Sequence, residues 1–260
     1  MKATQFFAVP GAIHPWRRLG PLARATVPTT VLSLAATLSA DCANGAPDIS
    51  ALLRLTSNYD YRGYSLSDNH AAVQGNIDAM WSSGFFLGNW VSSANFGDAD
   101  LALNPYLGES FDVSPNWKIV TMVAGYLFDG KVDKTNPSYG EGALRLGYRD
   151  ILSMQVSIAP DYYGTGSAVP SYELELSYPL AETIDVSAGI GYQASRNALN
   201  YDGVYSNIGI AWFILPNLTL DIRYHNLHEM NERPHGNYGL EPLAQYHLDT
   251  PVILSVSIGL

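Results

Sequence analysis

The sequence predicts an all-β chain: a single antiparallel transmembrane β-barrel of about twelve strands, closed on itself. Three observations predict it. Apolar and polar residues alternate with period two from Ile49 to Leu260. The connections between these segments are short at one end and mostly longer at the other. Aromatic residues gather at segment ends. Period two places one set of side chains on each face of a strand. Loops sorted by length to opposite ends are a barrel property.

The alternation is clearest at residues 184–192, where Ile184, Val186, Ala188, Ile190 and Tyr192 oppose Asp185, Ser187, Gly189 and Gly191. Residues 172–178 and 218–225 repeat it. Strands are expected near 49–61, 71–81, 85–94, 99–111, 117–128, 138–149, 151–159, 171–178, 184–193, 203–213, 218–225 and 251–260. Short turns fall at Ser82–Gly84, Val113–Asn116, Asp150, Pro179–Thr183 and Leu215–Asn217. An even strand count brings both termini to this end, the periplasmic one in an outer membrane.

The aromatics read as two girdles at the headgroup levels. Trp81, Trp117, Tyr148, Tyr178 and Trp212 are expected at the periplasmic end, and Tyr59, Tyr61, Tyr126, Tyr192 and Tyr224 at the outer end. Ordinary strand propensity for Tyr and Trp is the plainer account of the same residues. At the C-terminus Val252, Leu254, Val256, Ile258 and Leu260 alternate with Ile253, Ser255, Ser257 and Gly259. This final strand reads as an assembly signal for the barrel assembly machinery. Leu260 stands where a terminal Phe is commoner.

The N-terminus reads as an address. Residues 1–24 are basic, and Val27–Ala40 is a short apolar run, too short to anchor as a helix. Residues 1–46 are therefore expected to be a secretory signal, cleaved between 40 and 46, with 47–260 forming the barrel. The pair Arg17-Arg18 reads as ordinary signal charge, with twin-arginine export as the alternative. No apolar run approaches the ~20 residues of a helical span. The lone cysteine, Cys42, forms no disulfide within one chain. Asp41 before it argues against lipidation.

The formal net charge of −10 argues against nucleic acid as a partner. The polar strand faces are expected to line a lumen. They supply Arg54, Asn58, Asp60 and Arg62, then Gln74, Asn76 and Asp78, then Glu141, Arg145 and Arg149, then Glu173 and Glu175, Asp185, and Asp221 and Arg223. Charges of both signs have two readings: an ion-pair network filling the interior, or the lining of a narrow wet pore. The spacing His225-x-x-His228, with Glu229, His235 and His247, is the one arrangement with metal-ligand character. It lies in a segment read as a solvated loop, 226–250, so no metal is expected. No GxSxG, HExxH or nucleotide-binding glycine motif occurs, so neither catalytic residues nor cofactors are expected.

The run Ser57-Asn58-Tyr59, then Arg62-Gly63-Tyr64-Ser65-Leu66-Ser67-Asp68, then Ala72-Val73-Gln74-Gly75 resembles the start of the TorF-type porin family, the Gcw_chp domain of proteobacterial proteins of unknown function. Gly84-Phe85-Phe86-Leu87-Gly88-Asn89-Trp90-Val91-Ser92-Ser93 fits it too, whereas Asn76–Met80 is less aromatic than that pattern. The resemblance implies a barrel and a porin role, and it carries no substrate or catalytic residues. The expectation is thus a porin in the outer membrane of a Gram-negative bacterium, passing ions or small solutes by passive diffusion with mild cation preference. Its partners would be outer-membrane lipid, lipopolysaccharide and the assembly machinery. The alternatives are a structural or adhesive barrel with an occluded lumen and, as a minor one, a lipid-modifying enzyme.

Overall fold

A computed structural model describes residues 45–232 and 246–260. Residues 1–44 of the expected signal sequence, with Cys42, and also His235 lie outside the described residues.

The strands are β1 (Asp48–Thr56), β2 (Asp60–Tyr61), β3 (Tyr64–Ser65), β4 (Ala72–Met80), β5 (Phe85–Phe96), β6 (Ala99–Ser114), β7 (Trp117–Phe128), β8 (Tyr139–Tyr148), β9 (Leu152–Ala159), β10 (Val169–Ala181), β11 (Ile184–Gln193), β12 (Asp202–Leu215), β13 (Leu218–Met230) and β14 (Val252–Gly259). All but β2 and β3 form one closed antiparallel barrel of twelve strands. Each barrel strand pairs with the next, and β14 pairs with both β13 and β1. Closure leaves the sheet no open edge, which a bilayer interior demands.

The barrel is inverted relative to a water-soluble one. Leu53, Leu55, Val73, Val123, Leu144, Val156, Leu176, Ile208, Ile222 and Leu254 are exposed on the outside, while Arg54, Gln74, Glu141, Arg145, Gln155 and Asp221 are buried inside. A continuous outward apolar surface of this kind fits hydrocarbon rather than water.

Two strand expectations need correction. The first strand was expected to run to Tyr61 but stops at Thr56. The chain then leaves the wall, and residues 58–67 are almost all buried rather than alternately buried. Strand β13 runs to Met230, past the expected end at 225. In the extension Asn226, His228 and Met230 face outward and Leu227 and Glu229 inward, so polar and apolar residues share both faces and no clean alternation marks it.

Parity also corrects the girdles. Trp117 is exposed on the outer face of β7, so Tyr126, nine residues on, faces the lumen. It stacks on Tyr139 at 4.7 Å. Tyr59 and Tyr61 lie in the inward segment and are buried. Trp117, Tyr178, Trp212 and Tyr224 are exposed, and Trp81, Tyr148 and Tyr192 are half-buried. Along β14, Val252, Leu254, Val256 and Ile258 face outward, and Leu260 lies just beyond the strand.

Candidate functional site: the lumen and its inward loop

The connection from β1 to β4, residues 57–71, turns into the barrel instead of projecting from it. At its tip β2 and β3 pair as a two-residue hairpin, Asp60 with Ser65 and Tyr61 with Tyr64. Arg62 and Gly63 form the turn, with φ of 54° and 88°. Positive φ at both central residues is the turn whose twist suits a two-residue hairpin. Gly63 is required twice over, because a Cβ there would sit 2.6 Å from Leu227 Cβ. Arg62 accepts a backbone conformation that costs a side-chain-bearing residue about 1–2 kcal/mol.

Asn58 organises the loop from within. Its Nδ2 donates to Asn69 Oδ1 (2.9 Å), and its Oδ1 accepts from Ser65 Oγ (2.6 Å) and Ser67 Oγ (3.0 Å). Ser67 Oγ also accepts from the Tyr59 amide. Asp60 accepts from the Gly63 amide and pairs with His225 Nδ1 at 2.9 Å. The Tyr64 and Tyr201 hydroxyls meet at 2.7 Å. The polar residues of the resembling motif are thus the scaffold of an inward loop.

The tip delivers Arg62 to the opposite wall. Its Nη1 and Nη2 donate to the two oxygens of Glu141 at 2.8 and 3.0 Å, and its Nε donates to Glu173 Oε1 at 3.1 Å. Nη2 also reaches Ser157 Oγ at 3.2 Å, and the guanidinium lies 5.0 Å from the Tyr61 ring centre. Burial alone would lower the Arg62 pKa, but the Glu141 carboxylate overrides it and holds the pKa well above the ordinary value. Glu173 also accepts from Tyr205 Oη at 2.6 Å and from Gln155 Nε2 at 3.4 Å. Arg145 in turn donates to Gln155 Oε1 at 3.0 and 2.7 Å.

The loop divides the lumen. Around and above it lies an aromatic core: Tyr61, Tyr126, Tyr139, Tyr162, Tyr163, Phe96, Phe128 and Tyr246. Ring centres lie 4.5 Å apart for Tyr162–Tyr163 and 4.8 Å for Phe96–Tyr246. On the other side a polar cavity of about 160 Å³ remains, lined mainly by β10–β14, β1 and the loop, with Gln74 from β4 and Arg145 from β8. Glu175, Asp185, Asp221, Arg54 and Arg223 line it with Asp60, Arg62, Arg145 and Glu173. Arg223 donates to Asn207 (2.6 Å) and Ser187 (2.8 Å) and pairs with Asp221 at 3.3 Å. Arg54 donates to Ser257 at 3.0 Å and lies 5.6 Å from the Trp90 ring centre.

The residues expected in the lumen therefore fall into three groups. Arg54, Arg145, Glu173, Glu175, Asp221 and Arg223, with Asn58, Asp60 and Arg62 brought in by the loop, border the cavity. Glu141 is buried beneath Arg62, and Asp78 is tied to Asn76 and Tyr106 on the far wall. Arg149 does not belong to the lumen. Strand β8 ends at Tyr148, and Arg149 sits exposed in the following turn, donating to Asn116 at 2.8 Å.

In β13, His225 and His228 stand three residues apart in an extended chain, so they face opposite ways. His225 points in toward Asp60, and His228 is exposed. His247 pairs with Glu229 at 2.9 Å. Among the described residues no group of three or more His, Cys, Asp or Glu is placed to hold a metal ion. Sequence reasoning missed Ser157, which accepts from the loop's Arg62, and Gln155 and Tyr205, which donate to Glu173 beside it. The available signal was Arg62-Gly63 between Asp60-Tyr61 and Tyr64-Ser65, the outline of a two-residue hairpin.

No curated protein matches this sequence. Among solved structures the fold is shared with the KdgM porin, at 11% identity and a TM-score of 0.50 over 81% of this chain and 97% of that one. The NanC porin (10% identity, TM-score 0.46, 82% of this chain and 98% of that one) also aligns. So does the COG4313 outer membrane channel from Pseudomonas putida F1 (11%, 0.45, 83% and 96%). The family profile that matches, described as "Bacterial protein of unknown function (Gcw_chp)", spans residues 40–232, and the chain belongs to that family.

Proposed function

We propose that this protein is an outer-membrane porin of narrow bore, exported by its N-terminal signal, with both termini periplasmic. Ions or small solutes diffuse passively along the polar side of the lumen, with a mild preference for cations. One observation carries this reading: the cavity wall holds more carboxylates than arginines. Asp60, Glu173, Glu175, Asp185 and Asp221 face it against Arg54, Arg62, Arg145 and Arg223. With Arg149 in an exposed turn, and Asp78 and Glu141 away from the cavity wall, the excess of negative charge is smaller than the sequence implied. A low-dielectric wall focuses that field along the passage. The arginines cancel most of it, so the preference is weak. Likeness to the KdgM porin supports the fold on which this rests.

Planar-bilayer recording of refolded protein under a salt gradient tests it. The expected result is conduction with a reversal potential on the cation side, shifted toward anions by Glu175→Gln with Asp185→Asn. Conduction that prefers anions and ignores this pair refutes the assignment of the field. A second reading is favoured by the aromatic packing around the loop: a structural or adhesive barrel with an occluded lumen. Folded protein that passes no current at any voltage selects it.

A further inference from the structure

We propose that Glu141 and Glu173 form a guanidinium-binding site in the lumen, that Arg62 fills it in the resting protein, and that solutes bearing a guanidinium group compete for it. The identity of the solute class rests on the channel reading above; the site itself does not.

The acceptors and the occupant come from different parts of the fold. Glu141, Ser157 and Glu173 stand on consecutive strands β8, β9 and β10 of the wall. Their places are fixed by strand pairing, with Ser157 directly opposite Ser171 on β10. Arg62 comes from the tip of a loop. Withdrawal of the tip therefore leaves the acceptors where they are.

The acceptors match a planar fork and not a point charge. Both oxygens of Glu141 take a parallel pair of N–H bonds, Glu173 takes the third from Nε, and Ser157 takes a fourth. An ammonium has no such fork. Side-chain exposure is 3% at Glu141 and 22% at Glu173. Those exposures hold with Arg62 in place; a vacated site would leave two neighbouring carboxylates without their counter-charge, a costly state that a matching cation relieves. Glu173 is the member bordering the polar cavity, so it is where a solute arrives. The occupant is held at the tip of a two-residue turn, on a loop separate from the wall that bears its acceptors.

The test uses the full barrel carrying Arg62→Ala, with methylguanidinium and methylammonium as probes. The single-channel conductance should exceed that of the unaltered protein. Methylguanidinium should return it toward the original value, with half-block at a concentration at least tenfold below that of methylammonium. Adding Glu141→Gln and Glu173→Gln should abolish that preference. Equal block by the two cations, or a preference that survives the two carboxamides, overturns the proposal. If folded Arg62→Ala passes no current, calorimetric titration of the detergent-solubilised protein separates the claims. Tenfold tighter binding of methylguanidinium keeps the site while the channel reading falls; equal binding ends the proposal. Arg62→Lys, which retains a cation but not the fork, covers failure of the alanine variant to assemble. There methylguanidinium should raise the thermal transition more than methylammonium does, and no difference again overturns the proposal.

Discussion

The two walls of the lumen obey the same alternation and hold opposite contents. On β5 to β7 the inward positions are mostly apolar or aromatic, among them Phe86, Trp90, Ala102, Tyr106, Val120, Ala124 and Tyr126, with Ser92 and Asn104 as polar exceptions. On β10 to β14 they include Glu173, Glu175, Ser187, Asn207, Asp221, Arg223, Ser255 and Ser257. The first wall, with the inward loop against it, is packed as a soluble protein's core is packed. The second keeps open space and solvates its charges. The interior of the barrel is thus divided: one side is packed, and the other keeps a polar cavity.

Three experiments bear on that contrast. The largest effect is expected from removing Val252–Leu260, which belongs to the charged wall and closes the ring. Strands β1 and β13 then present unpaired backbone to lipid, at several kcal/mol per unsatisfied group. Cells should yield degraded or periplasmic protein instead of heat-modifiable outer-membrane barrel. Normal membrane levels of the truncated chain would contradict the closure.

Next in size is Phe96→Ala. Its fully buried ring touches Phe128 at 5.2 Å, Tyr163 at 5.6 Å and Tyr246 at 4.8 Å. Denaturant unfolding in lipid should show a loss of about 3–5 kcal/mol. Glu175→Gln on the open wall should stay within about 0.5 kcal/mol. Equal losses at both positions would erase the distinction between packed core and open cavity wall.

The smallest effect is alkaline. Burial pushes the Tyr61, Tyr64, Tyr162 and Tyr163 phenols above their ordinary pKa, with neighbouring tyrosines raising Tyr64 and Tyr163 further. These groups therefore favour the folded loop fully below the ordinary tyrosine pKa of about 10 and lose that contribution as pH rises through the raised values. Phenolate absorbance should develop late and together with loss of the folded form. Complete ionisation near pH 10 with the barrel intact would mean that the loop does not pack as described.

The strands were legible because lipid on one side forces alternation that nothing local disturbs. Trp117–Phe128 and Ile184–Gln193 have the bounds their patterns predict. The inward loop was not legible, because its polar residues satisfy one another. Asn58, Ser65 and Ser67 form a network that looks in sequence like any hydrophilic loop. Tyr126 was misplaced because an aromatic at a strand end suits a headgroup or a packed interior equally well. Only its parity against Trp117 distinguishes them. The charged partners were read singly, and what joined Arg62 to Glu141 was a long-range contact that spacing does not encode.

The pairing that closes the ring also dictates the order of events in folding. Leu53 lies opposite Ile258, and Arg54 donates to Ser257 across 203 positions of chain. Such a contact cannot form until nearly the whole polypeptide has been delivered, and loop-closure entropy opposes it most of all the pairings in the sheet. High contact order makes folding slow, and throughout that interval the first strand keeps an unmatched edge. The barrel is consequently most exposed to edge-to-edge aggregation before its last strand pairs with β1.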